Sequence, residues 1–235
     1  MKRILTLICV LVAMSFTSAA FGAEDVGSVV ALKGRALINR ESKTIEAKLK
    51  EGVILKDIIE TKEKSRAKLL FVDESVLTLK ENSKASIKDF VYSREKGGSS
   101  VFTLLDGAMR TVVGKTNFEV HTPTTVASAR GTVIDFIIGI SGGVAFTTIM
   151  CFEGEVIISS SDPNFPGIIV LKPGMMITVF AGQPLPEPEP IEKGKMEGFF
   201  LGGLGFDDMY LFASPPIDQQ PSTGATPVDL HLVFP

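Results

Sequence analysis

The sequence predicts an all-β protein, a meandering β-sandwich or β-roll of short, mostly antiparallel strands with glycine turns. Short segments rich in Val, Ile, Thr and Phe recur from about residue 26 to residue 180, separated by Gly, Asp, Asn, Ser and Lys. No segment of this region shows the apolar period of about 3.6 residues that marks an amphipathic helix. A strand–glycine–strand pattern also repeats, at spacings too uneven for a strict solenoid.

The N-terminal segment has the three-part layout of a secretory signal peptide. Two basic residues precede an apolar stretch, residues 4–16, and small residues follow it. Cleavage after Ala20 or after Gly22 would leave small residues at the positions that the signal peptidase reads. We therefore expect residues 1–22 to be a signal peptide and the mature protein to be periplasmic or exported. The alternative is an uncleaved membrane anchor, because residues 4–23 are uncharged and long enough to span a bilayer.

Composition and charge exclude several classes of protein. Hydrophobic residues make up 45% of the chain and charged residues 22%, which is ordinary for a globular protein and excludes overall disorder. The net charge of −3 gives no basic surface for nucleic acid or for a polybasic membrane contact. Removal of the signal peptide leaves Cys151 alone, so no intrachain disulfide is expected. Cys151 lies in an apolar run and is expected to be buried; the alternative is a reactive or intermolecular thiol.

Glycine turns organise the predicted domain, residues 26–182. The repeated strand–glycine–strand pattern occupies residues 29–38, 102–112 and 149–158, with Gly34, Gly107 and Gly154 at its turns. Glycine supplies the positive φ that tight turns and bulges need, so these segments are expected to be β-arches. Residues 73–75 are expected to turn one hairpin and residues 139–143 another.

The composition changes after Phe180. Prolines at alternate positions remove backbone donors and fix φ, so residues 183–195 are expected to be an extended, semi-rigid linker. Residues 196–235 form a tail rich in Gly, Phe and Pro. Its apolar residues between 199 and 212 either dock on the β-domain or bind a partner.

The sequence contains no recognisable catalytic, metal or cofactor site, and we expect a protein that is not an enzyme. His121 and His231 lie in different regions, and with one mature cysteine they cannot form a zinc site. There is no Gly-x-Ser-x-Gly elbow, no P-loop and no dinucleotide-binding glycine motif. Neighbouring carboxylates such as Asp73 and Glu74 are expected at turns or on the surface rather than in an acid–base pair.

One polar segment, residues 121–132, stands out between predicted strands. Its proline interrupts strand pairing, small residues follow, and an arginine precedes a glycine in an apolar context. A guanidinium there needs a carboxylate or several carbonyls as partners, so we expect Arg130 to fix a bulge through backbone carbonyls. The alternative is an exposed arginine that recognises a ligand. The candidate structural or recognition residues are Thr122, Pro123, Arg130, Gly131 and Thr132.

An ordered set of residues resembles the pattern of FecR-type periplasmic domains. The set comprises Thr122, Pro123, Ala127, Arg130, Gly131, Thr132 and Phe136, with Gly52, Asp57 and the hairpin residues 65–77 upstream and the turns at Gly107 and Gly154. The chain departs from the pattern at Lys56 and Glu74, where the family commonly has glycine. The resemblance covers roughly residues 26 to 180.

The resemblance implies an all-β periplasmic module. The best-known members of the family relay an outer-membrane iron–siderophore signal across the inner membrane to a sigma factor. Here the signal segment begins almost at Met1, with no cytoplasmic regulatory region before it, so sigma-factor regulation is not expected. We expect an exported, non-catalytic binding or scaffolding module linked to signal sensing, which contacts another envelope protein through edge strands or residues 199–212. The alternative is a self-associating structural or adhesin-like envelope protein.

Overall fold

The computed structural model describes residues 24–114 and 116–191, which form eighteen strands and no helix. The strands are β1 (Asp25–Lys33), β2 (Ala36–Arg40), β3 (Lys43–Glu46), β4 (Gly52–Ile54), β5 (Ile58–Thr61), β6 (Arg66–Phe71), β7 (Val76–Leu79), β8 (Lys84–Ser93), β9 (Gly97–Asp106), β10 (Ala108–Val112), β11 (Asn117–His121), β12 (Thr125–Ala129), β13 (Val133–Ser141), β14 (Val144–Glu153), β15 (Val156–Ser160), β16 (Ile168–Leu171), β17 (Met175–Phe180) and β18 (Glu189–Pro190). The all-β prediction is confirmed. The predicted signal peptide and C-terminal tail lie outside the described residues.

The strands make two nine-stranded sheets that pack face to face. Sheet A has the order β18-β17-β14-β13-β10-β7-β6-β1-β4, and sheet B the order β16-β15-β12-β11-β9-β8-β5-β2-β3. Neighbouring strands are antiparallel, with β9 and β11 as the parallel exception. In both sheets the first strands of the chain lie at one edge and the last strands at the other, so the chain advances steadily across the sandwich.

The predicted glycine arches are the places where the chain crosses from one sheet to the other. Gly34, Gly107 and Gly154 connect β1 to β2, β9 to β10 and β14 to β15, and each pair of strands lies in different sheets. Their φ angles are 72°, 77° and 73°, in the left-handed region that glycine tolerates best. The expected hairpin at residues 139–143 is also present, since β13 and β14 turn at residues 142 and 143.

Side chains from both sheets meet in one hydrophobic core. The rings of Phe71 and Phe102 lie 5.0 Å apart, and those of Phe102 and Phe118 lie 5.1 Å apart. Full burial of such a side chain stabilises the fold by about 1.5–3 kcal/mol. Cys151 is completely buried in the same core, and burial raises the pKa of its thiol. The expectation of a buried cysteine is therefore confirmed.

The two sheets differ in how their outer faces are covered. In sheet B the strands alternate between buried and accessible residues, as in β2 and β15. In sheet A all four residues of β7 are buried, and so are five successive residues of β14, 147–151. A row of paired residues crosses the outer face of sheet A, which we call the outer row: Lys68, Thr78, Arg110, Asp135, Met150 and Met176.

The proline-rich segment continues the β-structure beyond the predicted domain end. Leu185 packs against the core, and the two residues of β18 pair with β17 at the edge of sheet A. The backbone N–H of Ile191 donates to the carbonyl of Gly174 at 2.8 Å. An edge strand tolerates proline because one side of it needs no donors, so part of the expected linker becomes a short edge strand.

Candidate functional site

The candidate recognition residues of the sequence do not form one site. Thr122 and Pro123 lie in the turn between β11 and β12, whereas Arg130, Gly131 and Thr132 lie in the connection from β12 to β13. The five residues of β12 separate the two groups, a distance of about 17 Å along an extended strand. Each group therefore has its own role.

Thr122 joins the two sheets through hydroxyl groups. The backbone N–H of Thr125 donates to Thr122 Oγ1 at 3.0 Å, and Thr147 Oγ1 of β14 donates to the same atom at 2.9 Å. Thr124 Oγ1 donates in turn to Thr147 Oγ1 at 2.8 Å. All four threonines of this cluster, which includes Thr125, are buried, and Pro123 beside them is exposed. Thr122 thus anchors a hairpin of sheet B on sheet A.

Gly131 and Thr132 shape the crossing from β12 to β13. Gly131 has φ 60°, and the carbonyl of Thr132 accepts a hydrogen bond from the N–H of Val113 at 2.8 Å. The side chain of Thr132 is buried beneath the arch at Gly154, where a Cβ would lie 2.5 Å from Thr132 Cγ2. These two residues hold neighbouring crossings together.

Arg130 is the one charged residue of this crossing, which comprises residues 130–132. It is exposed, and its guanidinium makes no hydrogen bond or ion pair with any described residue. The expectation that Arg130 fixes a bulge through carbonyls is therefore not what the structure shows, because the positive φ of Gly131 makes the bend without that support. Arg130 instead lines an open groove of about 600 Å³ on the outer face of sheet B.

The groove has mixed polarity. Val101 and Ile157 give it apolar walls, and Glu119 and Glu155 lie with Arg130 along it. Glu119 contacts the ring of His121 and accepts a hydrogen bond from Ser128 Oγ at 3.4 Å. An open surface with charges of both signs fits a peptide or a protein side chain better than the enclosed apolar pocket typical of small-molecule sites.

The strand β16 forms an unprotected edge of sheet B beside this groove. The opposite edge strand, β3, carries Lys43 and Glu46, and the edge strands of sheet A have only three and two residues. The four residues of β16 carry no charge, and Ile168 and Val170 are 72% and 48% exposed. Ile157, opposite Val170 in the ladder, extends the apolar surface into the groove. Sequence reasoning missed β16, although four uncharged apolar residues after Pro-Gly were its signal.

Asp57 and Asp73 are buried carboxylates that adjoin Lys56 and Glu74, and both have hydrogen-bond partners in the fold. Asp57 accepts hydrogen bonds from Arg40 Nε and Nη2 at 2.9 and 2.7 Å and from the N–H of Ile54 at 2.9 Å, and the bond to Asp57 raises the pKa of Arg40. Asp73 accepts from the N–H of Ser75 at 3.0 Å. Asp73 was expected at a turn or on the surface; it is in the turn, but it is completely buried.

Among the described residues no three His, Cys, Asp or Glu side chains are grouped so that they could hold a metal ion. The same part of the chain contains no helix that is long and apolar enough to cross a membrane. The expected absence of a metal, a cofactor and catalysis stays a prediction, and His231 lies outside the described residues.

The comparison with protein families identifies one domain in this chain. The family model described as FecR protein matches the chain from Asp57 to Ile157. Residues 57–157 are a FecR-family domain. The FecR domain covers less than half of the chain and includes Arg130, Gly131 and Thr132. It begins at the buried carboxylate that pairs with Arg40 and ends in β15, next to the exposed edge strand.

The solved structures similar to this chain include two crystal structures of a candidate anti-sigma factor from Parabacteroides distasonis. Each has 14% sequence identity and a TM-score of 0.49. The alignments cover 63% of this chain and 66% and 65% of those chains, just under two thirds of their length. No curated protein matches the sequence.

Proposed function

We propose that the chain is an exported, non-catalytic binding module of the cell envelope, which takes part in signalling by docking another envelope protein on the β16 edge of sheet B. The observation that carries this proposal is the exposed, uncharged strand β16 beside the groove that contains Arg130. An extended segment of the partner adds to β16 through backbone hydrogen bonds, and its side chains enter the groove.

Two further observations support the proposal. The FecR-family domain supports a signalling-related regulatory role, because the family is regulatory. The signal-peptide layout of residues 1–22 supports an envelope location. The charges of Arg130 and Glu155 at the groove give the partner's side chains groups to recognise.

Site-specific photo-crosslinking in the native cell envelope tests the docking edge. A photoreactive residue replaces Ile168 on β16, and a second protein carries it at Thr44 on β3 as the matched control, since both positions are exposed on edge strands of sheet B. We expect position 168 to capture an envelope transporter or signalling protein, identified by mass spectrometry, and position 44 to capture none.

A charged substitution on β16 provides a second test of the docking edge. Val170→Lys places an ammonium group where a partner strand would pair, and we expect it to reduce the capture from position 168 at least about tenfold. Thr44→Lys is the control and should leave the capture unchanged. Equal capture from both edges, or capture that survives Val170→Lys, would rule out β16 as the docking edge.

Self-association uses the same edge, because β16 strands of two copies can pair with each other. Capture of this chain alone, together with a sedimentation coefficient that rises with protein concentration and no longer does so in Val170→Lys, would replace the signalling proposal with the structural one.

A further inference from the structure

The outer face of sheet A is buried although the described strands form only two layers. Along the outer row, Lys68 is 2% exposed, Asp135 0%, Met150 3% and Met176 5%. The side chains on the outer face of sheet B are accessible, as Ile157 at 51% shows. A sheet that is buried on both faces is normally covered by a further layer of the same protein or of a partner.

The chain leaves the described structure beside this face. β18 pairs with β17 at the edge of sheet A, and Ile191 is hydrogen-bonded to Gly174 next to the same edge. Nine strands spaced about 4.8 Å apart make a sheet roughly 40 Å wide, which about 12 extended residues can cross. Residues 192–235 follow Ile191, so the chain is long enough to reach any part of the outer face.

The charge of the outer face of sheet A decides which end of the chain is suited to cover it. Sheet A presents Arg66, Lys68, Lys80 and Arg110 on its outer face against two carboxylates, Asp135 and Glu189, and all four cations take part in polar or electrostatic contacts. Residues 1–23 contain Lys2 and Arg3 and no acidic residue, so they would repel this face.

The C-terminal segment has the complementary composition. Between residues 196 and 212 it combines aromatic and aliphatic residues with acidic ones. The apolar members are Met196, Phe199, Phe200, Leu201, Leu204, Phe206, Met209, Tyr210, Leu211 and Phe212, and the acidic members are Glu197, Asp207 and Asp208. The segment has no basic residue, so it matches both the methionines and the cations of the outer row.

We propose that residues 196–212 of this chain dock on the outer face of sheet A, with their apolar side chains over Met150 and Met176 and their carboxylates beside the lysines and arginines. The chain thereby supplies its own third layer, and this contact is independent of the β16 edge, which belongs to the other sheet. Desolvation lowers the pKa of Lys68 and lowers that of Lys80 to about 8, which is consistent with a covered face.

Methionine oxidation measures the cover directly. The purified full chain, lacking only residues 1–22, is treated with hydrogen peroxide, and the oxidation of each methionine is followed by mass spectrometry. We expect Met150 and Met176 to oxidise slowly. In a variant with Phe199→Ser, Phe200→Ser and Leu201→Ser, their rates should rise at least about tenfold, because the cover opens. Met109, completely buried between the sheets, reports whether the sandwich itself stays folded.

The matched control changes three apolar residues farther along the tail. Leu230→Ser, Leu232→Ser and Phe234→Ser should leave the oxidation of Met150 and Met176 at the slow rate. A second variant, Asp207→Lys with Asp208→Lys, should speed it as the serine variant does, since it places cations against cations. This second variant decides the question if Met109 shows that the serine variant unfolds.

Three outcomes would overturn the proposal. Slow oxidation of Met150 and Met176 in both tail variants would show that residues 196–212 do not cover them. Protection that weakens on dilution would identify a second copy as the cover. Protection found in the full chain with residues 1–22 and lost without them would assign the cover to the N-terminal segment.

Discussion

At Lys56 and Glu74 the backbone takes the conformation that the family pattern assigns to glycine. Their φ angles are 70° and 69°, in the left-handed region. The sequence showed both departures, but it could not show that the turns keep the glycine conformation, because that depends on contacts made elsewhere. One such contact is the buried carboxylate of Asp57, held by Arg40, directly after Lys56. A residue without Cβ strain would fit these two positions better.

Lys56→Gly is expected to stabilise the protein by about 1 kcal/mol, because an L-residue in the left-handed region costs about 1–2 kcal/mol and glycine loses part of that gain to unfolded-state entropy. Urea denaturation measures the change in the free energy of unfolding. Lys48→Gly is the matched control, since Lys48 is exposed and has no positive φ, and it should destabilise by a few tenths to 1 kcal/mol. Loss of stability in Lys56→Gly would contradict the argument.

At the scale of elements, the glycine pattern predicted where the chain crosses between the sheets. It did not predict which side chains pair or are exposed on the faces of the sheets. Gly34, Gly107 and Gly154 mark the arches because a positive φ leaves a visible trace in sequence. The pairing of Arg110 with Asp135 at 2.6 and 2.7 Å leaves none, since the two residues lie 25 positions apart. Arg130 was identified as a candidate, yet its exposure follows from the tertiary arrangement of neighbouring crossings, which local sequence does not encode.

Gly107→Ala is expected to cost at least about 3 kcal/mol of stability. The residue has φ 77°, and an added Cβ would lie 2.7 Å from the carbonyl oxygen of Asn82 and 2.6 Å from Ser83 Cα, so backbone must move. Gly142→Ala is the control, because its φ is 59° and nothing lies within 4 Å of the added Cβ, and it should cost about 1 kcal/mol. Equal losses in urea denaturation would show that the close approach at Gly107 is unimportant.

At the scale of the whole molecule, a charged pair lies across the middle of a buried sheet face. Arg110 donates to both oxygens of Asp135 and also lies 5.0 Å from the centre of the Phe152 ring. Burial nevertheless raises the pKa of Asp135 from 3.8 to about 6, against the opposing effects of Arg110 and Lys80. The folded protein therefore binds a proton at this residue that the unfolded chain has already released between about pH 4 and 6.

The free energy of unfolding should consequently fall as the pH rises from about 4 to about 6, and level off above that. Asp135 accounts for up to about 3 kcal/mol of this fall. The measurement compares the free energy of unfolding of the wild type with that of Asp135→Asn at several pH values between about 3.5 and 7. The difference between the two, wild type minus variant, is expected to be largest at low pH. A difference that grows with pH would mean that pairing with Arg110 outweighs burial.

The order of strands in both sheets has a consequence for how the protein is made. Each strand from β3 onward pairs with at least one strand that precedes it in the chain, so a polypeptide that emerges from its N-terminus first already carries a partner for each new strand. The nascent sandwich grows by addition in one direction, and because most of its contacts join residues far apart in the sequence, each addition is expected to be slow. The last edges to be completed are β16 in sheet B and β18 in sheet A, and until then the growing front is a succession of temporary open edges.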